Sequence, residues 1–303
     1  MSFWRPEAGC GPHCLPSGTP RVGPLRYAAR MVGAAGVLLF AAVAPARPAV
    51  VQAVARALLK VLGLDLRVRG KHRPGLLVAN HVSWVDIVVL LALDGKTRLV
   101  AKTEVGGWPV IGRLARRQRA VFVDRSQPRR LPATVAEAAA GLREGATVAV
   151  FPEATTTCGG CRVPMRSAFF QAAIDAGAPV TPVTLTFSVA GERSAAAAFV
   201  GDDTLLASVR RLARAKGLTL TVTAAAPLFP EPSADRRALA RAAAATIAAT
   251  PILTRLPRTT PSPRTTPSPR TTPSSRTLSS RTTPSSRPAT LPPAAVSPVP
   301  VSR

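Results

Sequence analysis

The sequence predicts an α/β fold, a sandwich around a largely parallel central sheet, preceded by an N-terminal membrane-associated helix pair. Three observations carry that expectation. From residue 63 to 250, short β-rich runs alternate with longer alanine-rich stretches, the pattern of strands joined by crossover helices. Ahead of it, at 28–62, stand two apolar segments separated by prolines. Of the 303 residues 47% are hydrophobic, enough to bury a sizeable core.

Residues 1–27 are rich in Gly, Pro and Arg without apolar periodicity and read as a flexible arm. "MVGAAGVLLFAAVAPA" (31–46) is an apolar run behind Arg21, Arg26 and Arg30. It is slightly short of the roughly 20 residues of a perpendicular span. A cationic front, an apolar middle and the small-residue "AVAPA" also satisfy the pattern of a cleaved signal peptide. In "PAVVQAVARALLKVLG" the polar side chains Gln52, Arg56 and Lys60 recur every fourth residue, so a helix there has one narrow polar stripe and a broad apolar face. Pro45 and Pro48 break the chain between the two segments. The expectation is a helix pair at the membrane surface over 28–62, with the stripe turned to the headgroups and the apolar face to lipid.

In the remainder, 63–250, strand candidates are "LDLRVRG", "GLLVAN", "RLVAK", "AVFVD", "ATVAVF", "PVTPVTLTF" and "TLTVTAA". Helix candidates are 84–93, 106–117, 128–143, 166–177, 203–216 and 233–249, the last with Ser233 as its N-cap. Beyond Thr250 the motif "RTTPSP" repeats with proline in nearly every copy, few aliphatics and no acidic residue. Such a segment buries too little apolar surface to offset its ordering entropy, so 251–303 reads as a disordered tail.

Lys and Arg number 40 against 15 Asp and Glu, a net charge of +25. That implies an anionic partner: nucleic acid, a membrane surface or a phosphorylated substrate. Readers of single-stranded nucleic acid need exposed stacking rings, and aromatics are only 4% of the chain, so nucleic acid is discounted and an anionic membrane surface retained. The four cysteines fall as "CGPHC" (Cys10, Cys14) and "CGGC" (Cys158, Cys161). A four-thiolate zinc site or two disulfides would use all four, but the pairs are remote in sequence and the first has the wider spacing. The expectation is incidental thiols and no metal.

"LLVANHVSWVDIVVLLAL" (76–93) puts one histidine and one aspartate into a stretch otherwise apolar but for Asn80 and Ser83. His81 and Asp86 follow a strand, at the carboxyl end where open α/β sheets place their sites. Five residues apart, they meet only if the chain turns between them, with His81 on the loop, Ser83 as N-cap and Asp86 in the first helical turn. A histidine held by a carboxylate is what a general base needs, because the carboxylate fixes the tautomer and stabilises the imidazolium. Read structurally, the same aspartate is a helix-start residue and the same histidine a satisfied loop residue.

"NHVSWVDI" resembles the His-x4-Asp block of the glycerolipid acyltransferase family, whose members include 1-acylglycerol-3-phosphate O-acyltransferases. Three further blocks follow in order. "AKTEVGGWPVIGRLARRQRAVFVDR" (101–125) resembles the second, with Lys102, Glu104, Pro109, Gly112 and Arg125; "VFPEATTT" (150–157) resembles the third; "VTPVTL" (180–185) resembles the fourth. The resemblance implies an acyltransferase sandwich in which His81 is the base and Asp86 orients it. Arg125 and the Phe-Pro-Glu loop, with Glu153 and Thr155, then hold the acceptor's polar head together with Lys102 and Arg166. Arginine matches phosphate well.

Two positions depart from the family pattern. Ala154 replaces the usual glycine, and Thr156 stands where many lysophosphatidate enzymes have arginine, a loss for which Arg166 is the substitute. The implied activity is transfer of a fatty acyl group from acyl-CoA or acyl carrier protein to 1-acylglycerol-3-phosphate, without metal or tightly bound cofactor, at the cell membrane with the catalytic domain cytoplasmic. The alternatives are another lyso-lipid acceptor, such as lyso-ornithine lipid, and a catalytically silent lipid-binding protein of the same fold.

Overall fold

A computed structural model describes residues 8–71, 73–108 and 111–250. The repeat-rich tail expected over 251–303 and Pro109 lie outside the described residues.

The chain opens with a short 3-10 turn at Pro12–Cys14 and two helices, α1 (Pro24–Val43) and α2 (Pro48–Leu62), followed by β1 (Asp65–Arg69) and β2 (Leu76–Ala79). Then come α3 (Val85–Leu93), β3 (Arg98–Lys102), α4 (Thr103–Gly106), α5 (Ile111–Arg117), β4 (Val121–Val123), a 3-10 turn at Pro128–Arg130 and α6 (Leu131–Arg143). The rest is β5 (Val148–Val150), α7 (Ala168–Ala176), β6 (Val180–Val189), β7 (Glu192–Arg193), α8 (Leu205–Arg214), β8 (Leu218–Ala224) and α9 (Arg236–Ala249).

The sheet order is β1-β8-β6-β2-β5-β3-β4, with the two-residue β7 paired to β6. Pairing is parallel from β6 through β2, β5 and β3 to β4, and between β1 and β8; β8 runs antiparallel to β6. The sheet is thus largely parallel, as expected. Its centre is apolar on both sides because β2 and β5 are runs without alternation, the signature of strands covered on two faces. Leu77, Ala79 and Ala149 pack with α2, α3 and α8, whereas Leu76, Val78 and Val148 pack with α6, α7 and α9.

Every predicted strand run contains a strand, and the helices differ mainly at their ends. Of the helix expected over 106–117, α5 forms the second half; α4 ends at Gly106, and the two approach so closely that a Cβ on Gly112 would lie 2.2 Å from the carbonyl oxygen of Gly106. The N-cap of α9 is Asp235, whose carboxylate accepts from the amides of Arg237 and Ala238; Ser233 lies outside the helix. Two oxygens on one aspartate satisfy two orphan amides where a serine satisfies one.

The N-terminal pair is present, but α2 is oriented differently from the expectation. Ala55, Leu58, Leu59 and Leu62 are buried in the core of the domain. Of its polar stripe, Gln52 donates to the carbonyl of Leu93 at 2.7 Å and Arg56 to that of Ala92 at 3.0 Å. These are unsatisfied carbonyls at the C-terminus of α3, where a cation also complements the helix dipole. Gln52 and Arg56 therefore cap α3, and of the stripe Lys60 is left exposed. α1 is the outward member: Leu25, Val32, Leu39, Phe40 and Val43 are exposed, and by length and composition the helix can cross a membrane.

Residues 8–23, assigned by sequence to a flexible arm, lie against the domain. The Val22 amide donates to Arg214 O and the Lys216 amide to Pro20 O, both at 2.8 Å. Arg30 continues the attachment by donating to the carbonyls of Ala213 and Ala215. The cysteines, expected to be incidental, also meet: the four Sγ atoms lie within 4.8 Å of one another. Sequence separation hid this, since the two pairs sit on segments that become neighbours only when the arm crosses the loop after β5.

Candidate active site

β2, β3, β4 and β5 run parallel, so their carboxyl ends share one edge of the sheet. His81 follows β2, Lys102 closes β3, Arg125 follows β4, and Phe151, Pro152 and Glu153 follow β5. Topology alone thus collects the predicted residues at the edge where such sheets carry their chemistry.

His81 and Asp86 meet as the spacing required. Nδ1 of the imidazole lies 2.9 Å from Oδ2 of Asp86, a fully buried carboxylate. The same oxygen accepts from the amides of Val82 at 2.6 Å and Ser83 at 2.8 Å. Asp86 therefore closes the turn itself, and α3 begins at Trp84 as N-cap, not at Ser83. With Nδ1 committed to the carboxylate, the tautomer that donates there leaves Nε2 as the basic nitrogen.

The loop is fixed from beneath as well. The His81 amide donates to Oε2 of Glu153 at 3.0 Å, and the Thr157 amide donates to His81 O at 2.8 Å. The imidazole stacks on Phe151, centroids 4.0 Å apart and planes 15° apart. Just before it, buried Asn80 is paired in both directions with Leu185: its amide nitrogen donates to the carbonyl at 3.0 Å and its oxygen accepts from the amide at 2.8 Å. Phe151 and Asn80 pack and tie down the histidine and its loop; sequence reasoning set Phe151 in the acceptor-binding loop and passed over Asn80. Asn80 did leave a signal, a lone amide at the end of an otherwise apolar strand.

Glu153 serves the protein backbone first. Burial pushes its carboxyl up to about 7, against the opposing hydrogen bond from His81. Oε2 is thus committed to the loop that carries His81. Ala154, in place of the usual glycine, does adopt the left-handed region at φ 57, with its amide donating to Phe151 O at 3.0 Å. An alanine there costs roughly 1 kcal/mol, which the surrounding bonds must override. Thr156 points elsewhere, its hydroxyl donating to the carbonyl of Phe199.

Arg125 is half-buried, and its burial lowers its pKa; Glu104 works against that shift and Arg166 adds to it. The two arginines and Glu104 thus share one electrostatic neighbourhood. Arg166 is tied to the Phe-Pro-Glu loop by its amide, which donates to Pro152 O at 2.9 Å. Asp124, a potential structural partner of Arg125, is engaged instead by the amide and hydroxyl of Ser126. Lys102 is exposed at the rim, and Thr155 is half-buried in the loop between Glu153 and Thr157.

An acyltransferase family model matches residues 60–186, which contain all of these groups. A lyso-ornithine lipid O-acyltransferase of Pseudomonas aeruginosa is 37% identical over 186 residues, 60% of this chain and 70% of that protein. A 1-acyl-sn-glycerol-3-phosphate acyltransferase of Neisseria gonorrhoeae is 35% identical over 181 residues, 59% of this chain and 70% of that one. The crystal structure of the 1-acyl-sn-glycerophosphate acyltransferase PlsC of Thermotoga maritima superposes with a TM-score of 0.53 over 74% of this chain and 92% of that chain, at 20% identity, a likeness of fold.

Proposed function

Because this chain belongs to the glycerolipid acyltransferase family, we propose that it moves a fatty acyl group from a thioester, acyl-CoA or acyl carrier protein, to the hydroxyl of 1-acylglycerol-3-phosphate. The observation that carries the reading is the His81–Asp86 pair at 2.9 Å, with Nε2 left over and two arginines, Arg125 and Arg166, in one neighbourhood nearby. His81 Nε2 removes the acceptor's hydroxyl proton while the oxygen attacks the thioester carbonyl. The C–S bond then breaks, and the thiolate departs as a weak base that takes up the proton from the imidazolium. Asp86 stabilises that imidazolium throughout. This chemistry calls on no metal or bound cofactor.

Arg125 and Arg166 suit the acceptor's phosphate, with Lys102 and Thr155 at the rim of the same edge. The donor is water-soluble and the acceptor is a lipid, so the site must touch both phases. The exposed apolar stripe of α1 suits lipid contact, and a groove between α1 and α2, lined by Gly33, Gly36, Val37, Phe40, Val50 and Val54, continues it. In this reading the enzyme sits on the cell membrane with its catalytic domain in the cytoplasm, where both donors are found.

A second acceptor is favoured by a particular observation. Thr156 is turned to Phe199 and contributes no cation, and one relative named above is a lyso-ornithine lipid enzyme. A lyso-ornithine acceptor offers a carboxylate in place of a phosphate and needs fewer cations. Incubating the purified enzyme with labelled acyl-CoA or acyl carrier protein and a panel of lyso-lipids tests both. Product from 1-acylglycerol-3-phosphate supports the first reading, product from lyso-ornithine lipid alone the second, and no transfer to any acceptor overturns the assignment.

A further inference from the structure

The four cysteines play no part in the chemistry above, yet they form one cluster. Their Sγ atoms all lie within 4.8 Å of one another, and those of Cys158 and Cys161 are 3.5 Å apart. A tetrahedral zinc site with Zn–S of about 2.3 Å has S···S edges of about 3.8 Å, so small shifts of the sulfurs complete it. Two disulfides would sort the sulfurs into two pairs. A tetrad in which every sulfur neighbours every other is the arrangement a single central ion demands.

The local chain is built for that. Cys-x3-Cys and Cys-x2-Cys both fall in the ligand spacing of structural zinc sites. In the first, the 3-10 turn over Pro12–Cys14 folds Cys14 back, with its amide donating to Gly11 O at 2.9 Å. In the second, Gly159 takes φ 81, a left-handed turn that brings Cys161 round beside Cys158. The Cys158 amide points at Cys10 Sγ, 3.4 Å away, an N–H donor of the kind that supports a metal-bound thiolate. Arg193 donates to the carbonyl of Gly159, placing positive charge beside a centre that would carry net negative charge. The donors are four soft sulfurs, which favour zinc over magnesium or calcium, and they are too close together to enclose a cage of several ions.

We propose that Cys10, Cys14, Cys158 and Cys161 bind one zinc ion, which clasps the N-terminal segment to the loop that carries Glu153. The consequence reaches the active site through one bond: Thr157, adjacent to Cys158, holds the carbonyl of His81. The ion is structural. All four positions belong to protein sulfur, which leaves none open for substrate.

The test uses the full chain, purified without chelators or metal-affinity resin. Elemental analysis is expected to find one zinc per chain, and denaturation with a chelator is expected to release four titratable thiols. Reconstitution with cobalt is expected to give the intense visible bands of a tetrahedral tetrathiolate centre, absent from Cys10→Ser and Cys158→Ser. Chelation of the folded protein is expected to speed proteolysis within residues 8–23. Metal-free protein whose thiols are oxidised to disulfides overturns the proposal, as does metal-free protein with four free thiols that does not take up zinc or cobalt. Iron in place of zinc overturns the metal assignment. Because the first two measurements are made on the unsubstituted chain, a serine variant that fails to fold does not weaken them.

Discussion

Glu153 Oε2 accepts the backbone amide of His81 at 3.0 Å, so the loop presenting the imidazole rests on a carboxyl group that is itself only 7% exposed. One consequence is positional: the third sequence block supports the first from below. Another is a pH dependence of stability.

Burial raises the Glu153 carboxyl from its ordinary value of 4.5 to about 7 in the folded chain. A raised pKa means the fold favours the protonated form, so this contribution to stability is complete below pH 4.5 and lost as pH rises through 7. Glu153→Gln keeps an acceptor oxygen without the charge. Its unfolding free energy is expected to match the parent at acid pH and to exceed it above pH 7. The gain is a few kcal/mol at most, each pKa unit being worth about 1.4 kcal/mol. Parallel pH–stability curves for the two proteins would refute this.

His81→Ala and Asp86→Asn are each expected to lower acyl transfer by roughly 10²- to 10⁴-fold, the usual contribution of general-base catalysis. Circular dichroism of His81→Ala should remain that of the parent. Asp86→Asn is the more demanding variant, since Oδ2 also accepts two backbone amides. Turnover of His81→Ala close to that of the parent would remove the imidazole from the mechanism.

Asn80→Ala strands both the amide and the carbonyl of Leu185 in a dry interior. At about 1–3 kcal/mol for each buried group left unpaired, a loss of roughly 2–6 kcal/mol is expected in chemical denaturation. Because the same residue precedes His81, the surviving folded fraction should also show a lower kcat with little change in KM for the thioester.

Arg125→Ala is expected to raise KM for the acceptor by at least tenfold and to leave KM for the thioester within about twofold, as expected when a charge-assisted contact worth about 1.5–3 kcal/mol is lost on one substrate only. Equal effects on both substrates would make Arg125 a structural residue.

Charging the outward stripe of α1 by the triple substitution Val32→Glu, Leu39→Glu and Val43→Glu is expected to release folded protein from sedimented vesicles, since all three side chains are more than 70% exposed. Leu58→Glu serves as the contrast, because it buries a charge in the core and should give misfolded aggregate. Retention of the triple variant on vesicles would move the lipid contact elsewhere.

What could be read in the sequence was local. The continuous apolar runs 76–79 and 148–150 announced central strands, and the five-residue spacing of His81 and Asp86 required the turn that the fold contains. The N-caps were misplaced because an aspartate can take two backbone amides, Asp86 on one oxygen and Asp235 on both, a choice that serine-first reasoning at Ser83 and Ser233 overlooked. The faces of α2 were assigned wrongly because periodicity reports that a helix has two faces without saying what covers each. Here the carbonyl end of α3 claimed Gln52 and Arg56. The cysteine cluster lay further out of reach, joining residues 148 apart through a crossing of arm and loop that no periodic signal records.

The sheet order sets a timetable for folding. β1 has β8 as its neighbour, and the register Asp65↔Thr219 to Arg69↔Thr223 spans most of the domain. On the ribosome, the first strand made must wait for the last, while β2, β3, β4 and β5 can already pair with one another. Long-range parallel pairing of this kind is slow and leaves an edge uncovered in the meantime. Nascent chains arrested before Leu218 should therefore be cut readily by protease across 65–69 and resist it across 76–79, and a pattern with both segments equally protected would show that the edge is covered by some other means. If α1 inserts into lipid as soon as it emerges, the membrane holds the beginning of the domain in place through that delay.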